Sequence, residues 1–111
     1  MKELFRVVVA GVDVPIYRAT SKEIPELKND DGEDLHGCFI PAKAMICITQ
    51  GQPKTVERDT INHELIHAWI YLSGAQSVLR MLLKKPDDLV DAEETLVAVL
   101  TPHIAGIEWC K

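Results

Sequence analysis

The sequence has few aromatic residues and no surplus of basic ones. Phe, Trp and Tyr make up 5% of the 111 residues, and 12 Lys and Arg are outnumbered by 17 Asp and Glu, which gives a net charge of −5. Nucleic-acid-binding domains usually carry a basic stripe, and none is visible here, so we expect no nucleic-acid partner. With 26% charged residues, the chain is also too polar for a membrane protein, and we expect no membrane partner.

The cysteines lack the pattern of a disulfide framework or of a redox motif. There are three, Cys38, Cys47 and Cys110, and no two of them have C-x-x-C spacing. A secretory signal is not visible either, because the apolar run near the N-terminus covers only residues 7–12. These absences predict a protein of the reducing cytoplasm.

The composition that remains is typical of one small globular domain, and we expect that domain to cover residues 1–111. Hydrophobic residues make up 47% of the chain, which is too apolar for a disordered protein. A folded chain this short buries only a modest fraction of its surface. A bound metal would therefore stabilise the fold as well as supply chemistry.

Strand patterns occupy the first half of the chain. The β-branched runs 4–10 and 12–17 predict a β-hairpin or one bent strand, and Pro15 should confine the second run to a sheet edge. The strongest single strand candidate is the apolar run at 44–48.

Helical patterns occupy the second half. The predicted helices run from about 54 to about 72, from 76 to 85, and from Asp87 or Asp88 to about 100, where Thr101-Pro102 would kink or stop the last one. The tail from 103 to 111 is predicted to add one helical turn. Together these elements predict an α+β fold, in which a small, mostly antiparallel sheet of three or so strands packs on the first helix and the third helix crosses it.

The most specific feature of the chain is the H-E-x-x-H sequence His63-Glu64-Leu65-Ile66-His67 inside the first predicted helix. Residues four apart on a helix lie on one face, so both imidazoles can bind one zinc ion. Glu64 lies beside the first histidine, where its carboxylate can take a proton from the water that attacks a carbonyl group. The pattern predicts a Zn²⁺ site with Glu64 as the general base; the alternative is two surface histidines stacked by accident.

A catalytic zinc needs a third protein ligand, and the third predicted helix offers two carboxylates. Glu93 lies in the middle of an apolar stripe, where a carboxylate is costly unless it is paired or bound to a metal. Glu94 has more polar neighbours on its face. We therefore predict Glu93 as the third ligand and keep Glu94 as the alternative, because a one-residue shift of the helix would exchange them. The remaining candidates are His36, His103, Cys38, Cys47 and Cys110.

The segments 63–68 (HELIHA) and 91–97 (DAEETLV) together resemble the minimal zincin metallopeptidases. They are most similar to the small gluzincin-like proteins that phages and prophages encode, which are distantly akin to the ImmA/IrrE-type peptidases. The resemblance runs from about residue 35 to 101. If the chain is phage-encoded, the expected location is the host cytoplasm.

The resemblance implies a site and an activity. It implies that His63 and His67 bind zinc, that Glu64 is the general base, and that Glu93 or Glu94 is the third ligand. The strand at 44–48 would be the edge along which an extended peptide pairs. The expected activity is hydrolysis of a peptide bond in a peptide or protein substrate.

Two other functions are open at this stage. The same site could hold a structural zinc in a protein that binds a partner. Alternatively, residues 36–39 (HGCF) resemble the cysteine loop of peptide deformylases, which would make Cys38 the third ligand of a zinc amidase. Tyr71, four residues beyond the second histidine, could stabilise an oxyanion or simply pack.

Overall fold

The computed structural model describes residues 1–83 and 86–104, with side chains for 1–83 and 88–99. In chain order the elements are β1 Lys2–Val9, β2 Val12–Ala19, a 3₁₀ turn Pro25–Leu27, β3 Gly37–Ile40, a 3₁₀ turn Pro41–Lys43, β4 Met45–Thr49, α1 Lys54–Leu72, α2 Ala75–Leu82 and α3 Pro86–Ile104. The α+β prediction is confirmed. None of the described helices is long and apolar enough to cross a lipid bilayer.

The described strands form one sheet in the order β1-β2-β4-β3. The β1–β2 and β3–β4 pairs are antiparallel, whereas β2 and β4 are parallel. The turn between β1 and β2 consists of Ala10 and Gly11, both with positive φ, at 50° and 81°. Such a two-residue turn matches the twist of a hairpin, so the first two strands form a hairpin and not one bent strand. Because two of the three strand pairs are antiparallel, the sheet is mostly antiparallel, as predicted.

The prediction that Pro15 confines its strand to a sheet edge is wrong. β2 lies between β1 and β4. Pro15 pairs with Arg6 on the β1 side, but pairing with β4 begins only at Ile16, opposite Ile46. Pro15 lacks an N–H, and an inner position is tolerated because Pro15 comes just before the first residue of β2 that pairs with β4.

The prediction that the strand at 44–48 is the edge of the sheet is also wrong. This segment corresponds to β4, which lies between β2 and β3. The four residues 45–48 are all buried, which fits a strand covered on both faces. Within the described residues, the edge next to β4 is β3, a strand of only four residues.

Helix α1 lies between the sheet and α3. Its residues Ile61, Leu65 and Ala68 pack on the apolar face of β1, β2 and β4. On another side, Ile66 and Ile70 pack with Val97 of α3. A second cluster covers the opposite face of the sheet; its buried members are Ala19, Ile24, Leu27, Ile40, Met45 and Cys47.

Two local features hold α1 close to the sheet. A Cβ atom at Gly37 in β3 would lie 2.6 Å from Cγ2 of Thr60 in α1 and 3.0 Å from the carbonyl oxygen of Cys47. Only glycine permits this approach. In addition, Arg18 of β2 donates two hydrogen bonds, of 2.8 and 2.6 Å, to the carboxylate of Glu57 in the first turn of α1.

The helix boundaries agree with the prediction in part. The bounds of α1 match it, and Gly74 follows the helix with a φ of 84°. The prediction that Thr101-Pro102 would kink or stop the third helix is wrong as to the stop, because α3 is helical through Ile104. A proline removes one backbone donor, but it does not end this helix. The second helix ends at Leu82, three residues before the predicted end, and Leu83 is extended, with a φ of −110° and a ψ of 129°. Residues 84 and 85, and residues 105–111 with the predicted final turn and Cys110, lie outside the described residues.

Candidate metal centre

The two histidines of the motif converge on one point. His63 and His67 lie one turn apart on α1, and their Nε2 atoms are 3.2 Å apart. The ring centroids are separated by 4.9 Å, and the rings are tilted edge to face. Both rings are partly buried. The geometry therefore brings two nitrogen ligand atoms to the same small volume, as the spacing predicts.

Glu94 of α3 completes a group of three ligand atoms. Its Oε1 lies 3.3 Å from Nε2 of His67, and one ligand atom from each of His63, His67 and Glu94 lies within 4.8 Å of the others. Nitrogen and oxygen atoms that bind one tetrahedral zinc at about 2.0–2.2 Å lie about 3.3–3.5 Å apart. The His63–His67 and His67–Glu94 separations, 3.2 and 3.3 Å, are close to that value, and the atoms of His63 and Glu94 lie within 4.8 Å of each other. The residues present therefore fit a zinc ion.

Glu93, which the sequence analysis favoured as the third ligand, lies on the other side of the His67 ring. Its Oε1 accepts a hydrogen bond of 2.9 Å from Nδ1 of His67. Its Oε2 accepts one of 3.1 Å from Nε2 of Gln76 in α2. Glu93 does have the partners that a carboxylate in an apolar stripe requires, but these partners are a histidine and a glutamine. The described group of ligand atoms contains its neighbour, Glu94.

The contact between Glu93 and His67 determines the tautomer of the imidazole. A carboxylate only accepts hydrogen bonds, so in the neutral imidazole the hydrogen is on Nδ1 and Nε2 keeps its lone pair. A metal-binding histidine usually donates its other N–H to a carboxylate in this way. The sequence analysis did not identify Gln76, which holds Glu93. The only sequence signal for this network is that a metal-binding histidine needs a hydrogen-bond acceptor for its second ring nitrogen.

Glu64 is the most buried charged residue of the site. The residue is 6% exposed, and its Oε2 has no hydrogen-bond partner among the described residues. Burial is the main cause that raises its pKa to about 7; the negative charge of Glu94 adds to this effect, and His67 opposes it. A buried carboxylate with a free oxygen and a pKa near neutrality suits proton transfer.

His63 is shifted toward its neutral form. Burial lowers its pKa, and the neighbouring His67 lowers it further, while Glu94 acts in the opposite direction. A neutral imidazole keeps the lone pair that a metal requires. The electrostatics of His63 thus agree with its geometry.

The remaining candidates have other contacts. Cys38 is directly opposite Cys47 in the β3–β4 register, and both are free thiols. The hydrogen bond between the two thiols, together with burial, raises the pKa of Cys38. Nδ1 of His36 lies 2.9 Å from the side-chain oxygen of Gln52, and Tyr71 packs against Phe39 with ring centroids 5.9 Å apart. None of these side chains belongs to the described group of metal-ligand atoms.

A cavity of about 460 Å³ opens beside the motif. Both His63 and Glu64 line it, so it adjoins the group of ligand atoms. The other lining residues are Leu35, His36, Gly37, Val56, Asp59 and Thr60. The cavity therefore lies between the first half of α1 and the segment that leads into β3.

No protein-family model matches the sequence, and comparisons with curated proteins and with solved structures found no similar protein. The resemblance to minimal zincins therefore stays an interpretation of the motif residues. Two of the ligand candidates also stay predictions, because the side chain of His103 and the whole of Cys110 lie outside what the structure describes.

Proposed function

We propose that the protein is a zinc-dependent metallopeptidase, with His63, His67 and Glu94 as the metal ligands and Glu64 as the general base. The observation that carries this proposal is the spacing of the three ligand atoms beside a buried carboxylate with one oxygen unpaired. This ligand set differs from the one expected from the sequence, which had Glu93 in place of Glu94.

The residues of the chain divide the work of peptide hydrolysis. Zinc, when bound, polarises the substrate carbonyl and makes water more acidic. The Glu64 carboxylate accepts a proton from the attacking water and returns it to the leaving amine. Glu93 holds the hydrogen on Nδ1 of His67, so that Nε2 keeps its lone pair, and Gln76 holds Glu93 in place.

The edge of the sheet offers a place for the substrate backbone. β3 pairs with β4 on one side, and its first residue, Gly37, also lines the cavity beside Glu64. An extended peptide can add to such an edge by backbone hydrogen bonds. β3, rather than the strand at 44–48, therefore takes this role in the proposal, and the substrate is a peptide or an unfolded protein segment.

Two measurements test the proposal. The first is zinc content in the wild type and in the His63→Ala, Glu93→Ala and Glu94→Ala variants. We expect one zinc per chain, lost with His63→Ala and Glu94→Ala, and weakened but retained with Glu93→Ala. Zinc loss only in Glu93→Ala among the glutamate variants would restore the assignment made from sequence.

The second measurement is hydrolysis of unfolded protein substrates by Glu64→Gln. This variant should keep its zinc and lose nearly all activity, because only the proton acceptor is removed. A Glu64→Gln protein with full zinc and an unchanged hydrolytic rate would refute the mechanism.

One observation favours a second function, a zinc-stabilised protein that binds a partner. Helix α2 has no buried residue, and its apolar side chains Val78, Met81 and Leu82 are 56%, 86% and 73% exposed. Exposed apolar side chains grouped on one helix are a feature of interaction surfaces. A protein that binds zinc but hydrolyses neither peptides nor formyl-peptides would favour this function over both enzymatic ones.

A further inference from the structure

The cavity beside the metal centre has a largely aliphatic wall. Leu35 and Val56 contribute aliphatic side chains to its lining. The hydroxyl of Thr60 donates a hydrogen bond of 2.8 Å to the carbonyl oxygen of Val56, while its methyl group faces Gly37. The hydroxyl is thus satisfied within the helix. A side chain that enters the cavity would meet hydrocarbon on these sides.

One acidic side chain in the lining has no partner. The carboxylate of Asp59 is exposed, and it makes no hydrogen bond or ion pair with the side chains that the structure describes. Asp59 precedes His63 by four residues on α1, so the two lie on the same face, one turn apart. None of the described residues that line the cavity is Lys or Arg. The cavity lining therefore has an exposed acidic group and no Lys or Arg side chain to neutralise it; its other titratable members are His36, His63 and Glu64. A cationic group is the natural complement of an exposed carboxylate beside an apolar cavity wall.

We propose that the cavity binds the side chain of a lysine or arginine residue that flanks the scissile bond, with the aliphatic stem against Leu35, Val56 and Thr60 and the charged end at Asp59. Lys and Arg side chains combine an apolar stem with a polar tip that prefers water, and the exposed position of Asp59 provides that environment. The inference rests on the proposed peptidase function and specifies its substrate class as basic peptides.

The expected preference is modest because Asp59 is exposed. Exposed ion pairs contribute roughly 0.2–1 kcal/mol, which corresponds to a factor of at most about five in kcat/KM or affinity at low salt. The preference should decrease as the salt concentration increases.

The test compares peptides that differ only in the charge at one position. In a short peptide series, lysine, norleucine or glutamate is placed at each position in turn. The variant is Asp59→Asn, and the matched control is Asp13→Asn. Asp13 is near the start of β2, whereas Gly37 is aligned with the end of β2 through Ile48 and Arg18. The control thus removes the same charge at the opposite end of the sheet.

We expect the wild type and Asp13→Asn to prefer lysine over norleucine by about two- to fivefold at one position, with glutamate the poorest. Asp59→Asn should treat lysine and norleucine alike. Equal rates for lysine and norleucine in the wild type, or a preference that Asp59→Asn leaves unchanged, would overturn the proposal.

A binding experiment separates this inference from the peptidase function. The same peptides are titrated into the zinc-loaded protein while amide NMR signals of Val56, Asp59 and Thr60 are followed. If no peptide is hydrolysed but lysine peptides bind more tightly than norleucine peptides and Asp59→Asn removes the difference, the cavity assignment stands and the peptidase function fails. Equal affinities, or no binding, would contradict the cavity assignment itself.

Discussion

The sheet with α1 and the pair of helices α2 and α3 differ in how much apolar surface they bury. Fully buried side chains in the first region include Val14, Ile16, Ile46 and Ile48. In the second region, α2 has no buried residue, and among the described side chains of α3 only Val97 is fully buried. The first region is therefore held together by many fully buried side chains, whereas the second is attached to α1 by few buried groups.

The candidate metal centre connects these two regions. His63 and His67 belong to α1, while Glu94 belongs to α3; Glu93 of α3 and Gln76 of α2 hold the ring of His67. A metal bound here would add a link where apolar packing is thin. A metal bound here would therefore contribute to the position of α3.

The largest expected effect comes from zinc itself. Zinc at about a thousand times its dissociation constant should stabilise the fold by about 4 kcal/mol, and hydrogen exchange should show the gain mainly in α3. The measurement is amide exchange and thermal unfolding with zinc and with a chelator. His63→Ala serves as the control, because its stability should not respond to zinc. Equal protection of α3 with and without metal would contradict the proposed link between the regions.

The next effect compares truncations in the two cores. Ile16→Ala removes a fully buried side chain from the sheet and should lower the free energy of unfolding by about 2–5 kcal/mol. Val97→Ala removes less volume and should lower the free energy of unfolding by about 2 kcal/mol. This change should mainly weaken the packing of α3 on α1. Urea unfolding gives the totals, and hydrogen exchange locates them. If Val97→Ala raised exchange equally in the sheet and in α3, the two regions would form a single cooperative unit.

The sequence predicted the elements better than their arrangement. The ends of α1 were predictable because Pro53 precedes the helix and Ser73-Gly74 follows it, and these are local signals. The position of β4 inside the sheet was not predictable, because it depends on β3, which is only four residues long, and on parallel pairing with a distant strand. Long-range pairing leaves little trace in a local pattern.

The choice between the two candidates for the third ligand was also not predictable from local sequence. Neighbouring positions on a helix differ by about 100° around its axis, so the choice between Glu93 and Glu94 depends on how α3 docks against α1. The apolar stripe placed Glu93 toward the protein, and that carboxylate is indeed the less exposed of the two. The stripe could not reveal that the inner carboxylate contacts Nδ1 of His67 while the outer one reaches the Nε2 side.

The last expected effect is a pH dependence, which concerns Glu64 in the metal-free protein. Its folded pKa of about 7 lies above the ordinary value of 4.5, so the folded state binds a proton that the unfolded state releases between these two pH values. Stability should therefore be highest at low pH in this window and fall as the pH rises through about 7, by at most about 3 kcal/mol. His63 has a lowered pKa, so its contribution has the opposite sign and is lost as the pH falls below about 6.5.

The variant Glu64→Gln isolates the first contribution, because it retains His63. We expect the stability of the chelated wild type, relative to that of Glu64→Gln, to decrease between pH 4.5 and pH 7, as measured by urea unfolding. Most of this decrease should persist in the Val97→Ala background, because burial in α1, beside the segment leading into β3, raises the pKa of Glu64 more than Glu94 of α3 does. If Val97→Ala abolished the difference, the burial of Glu64 would depend on α3, and Glu64 would belong to both regions.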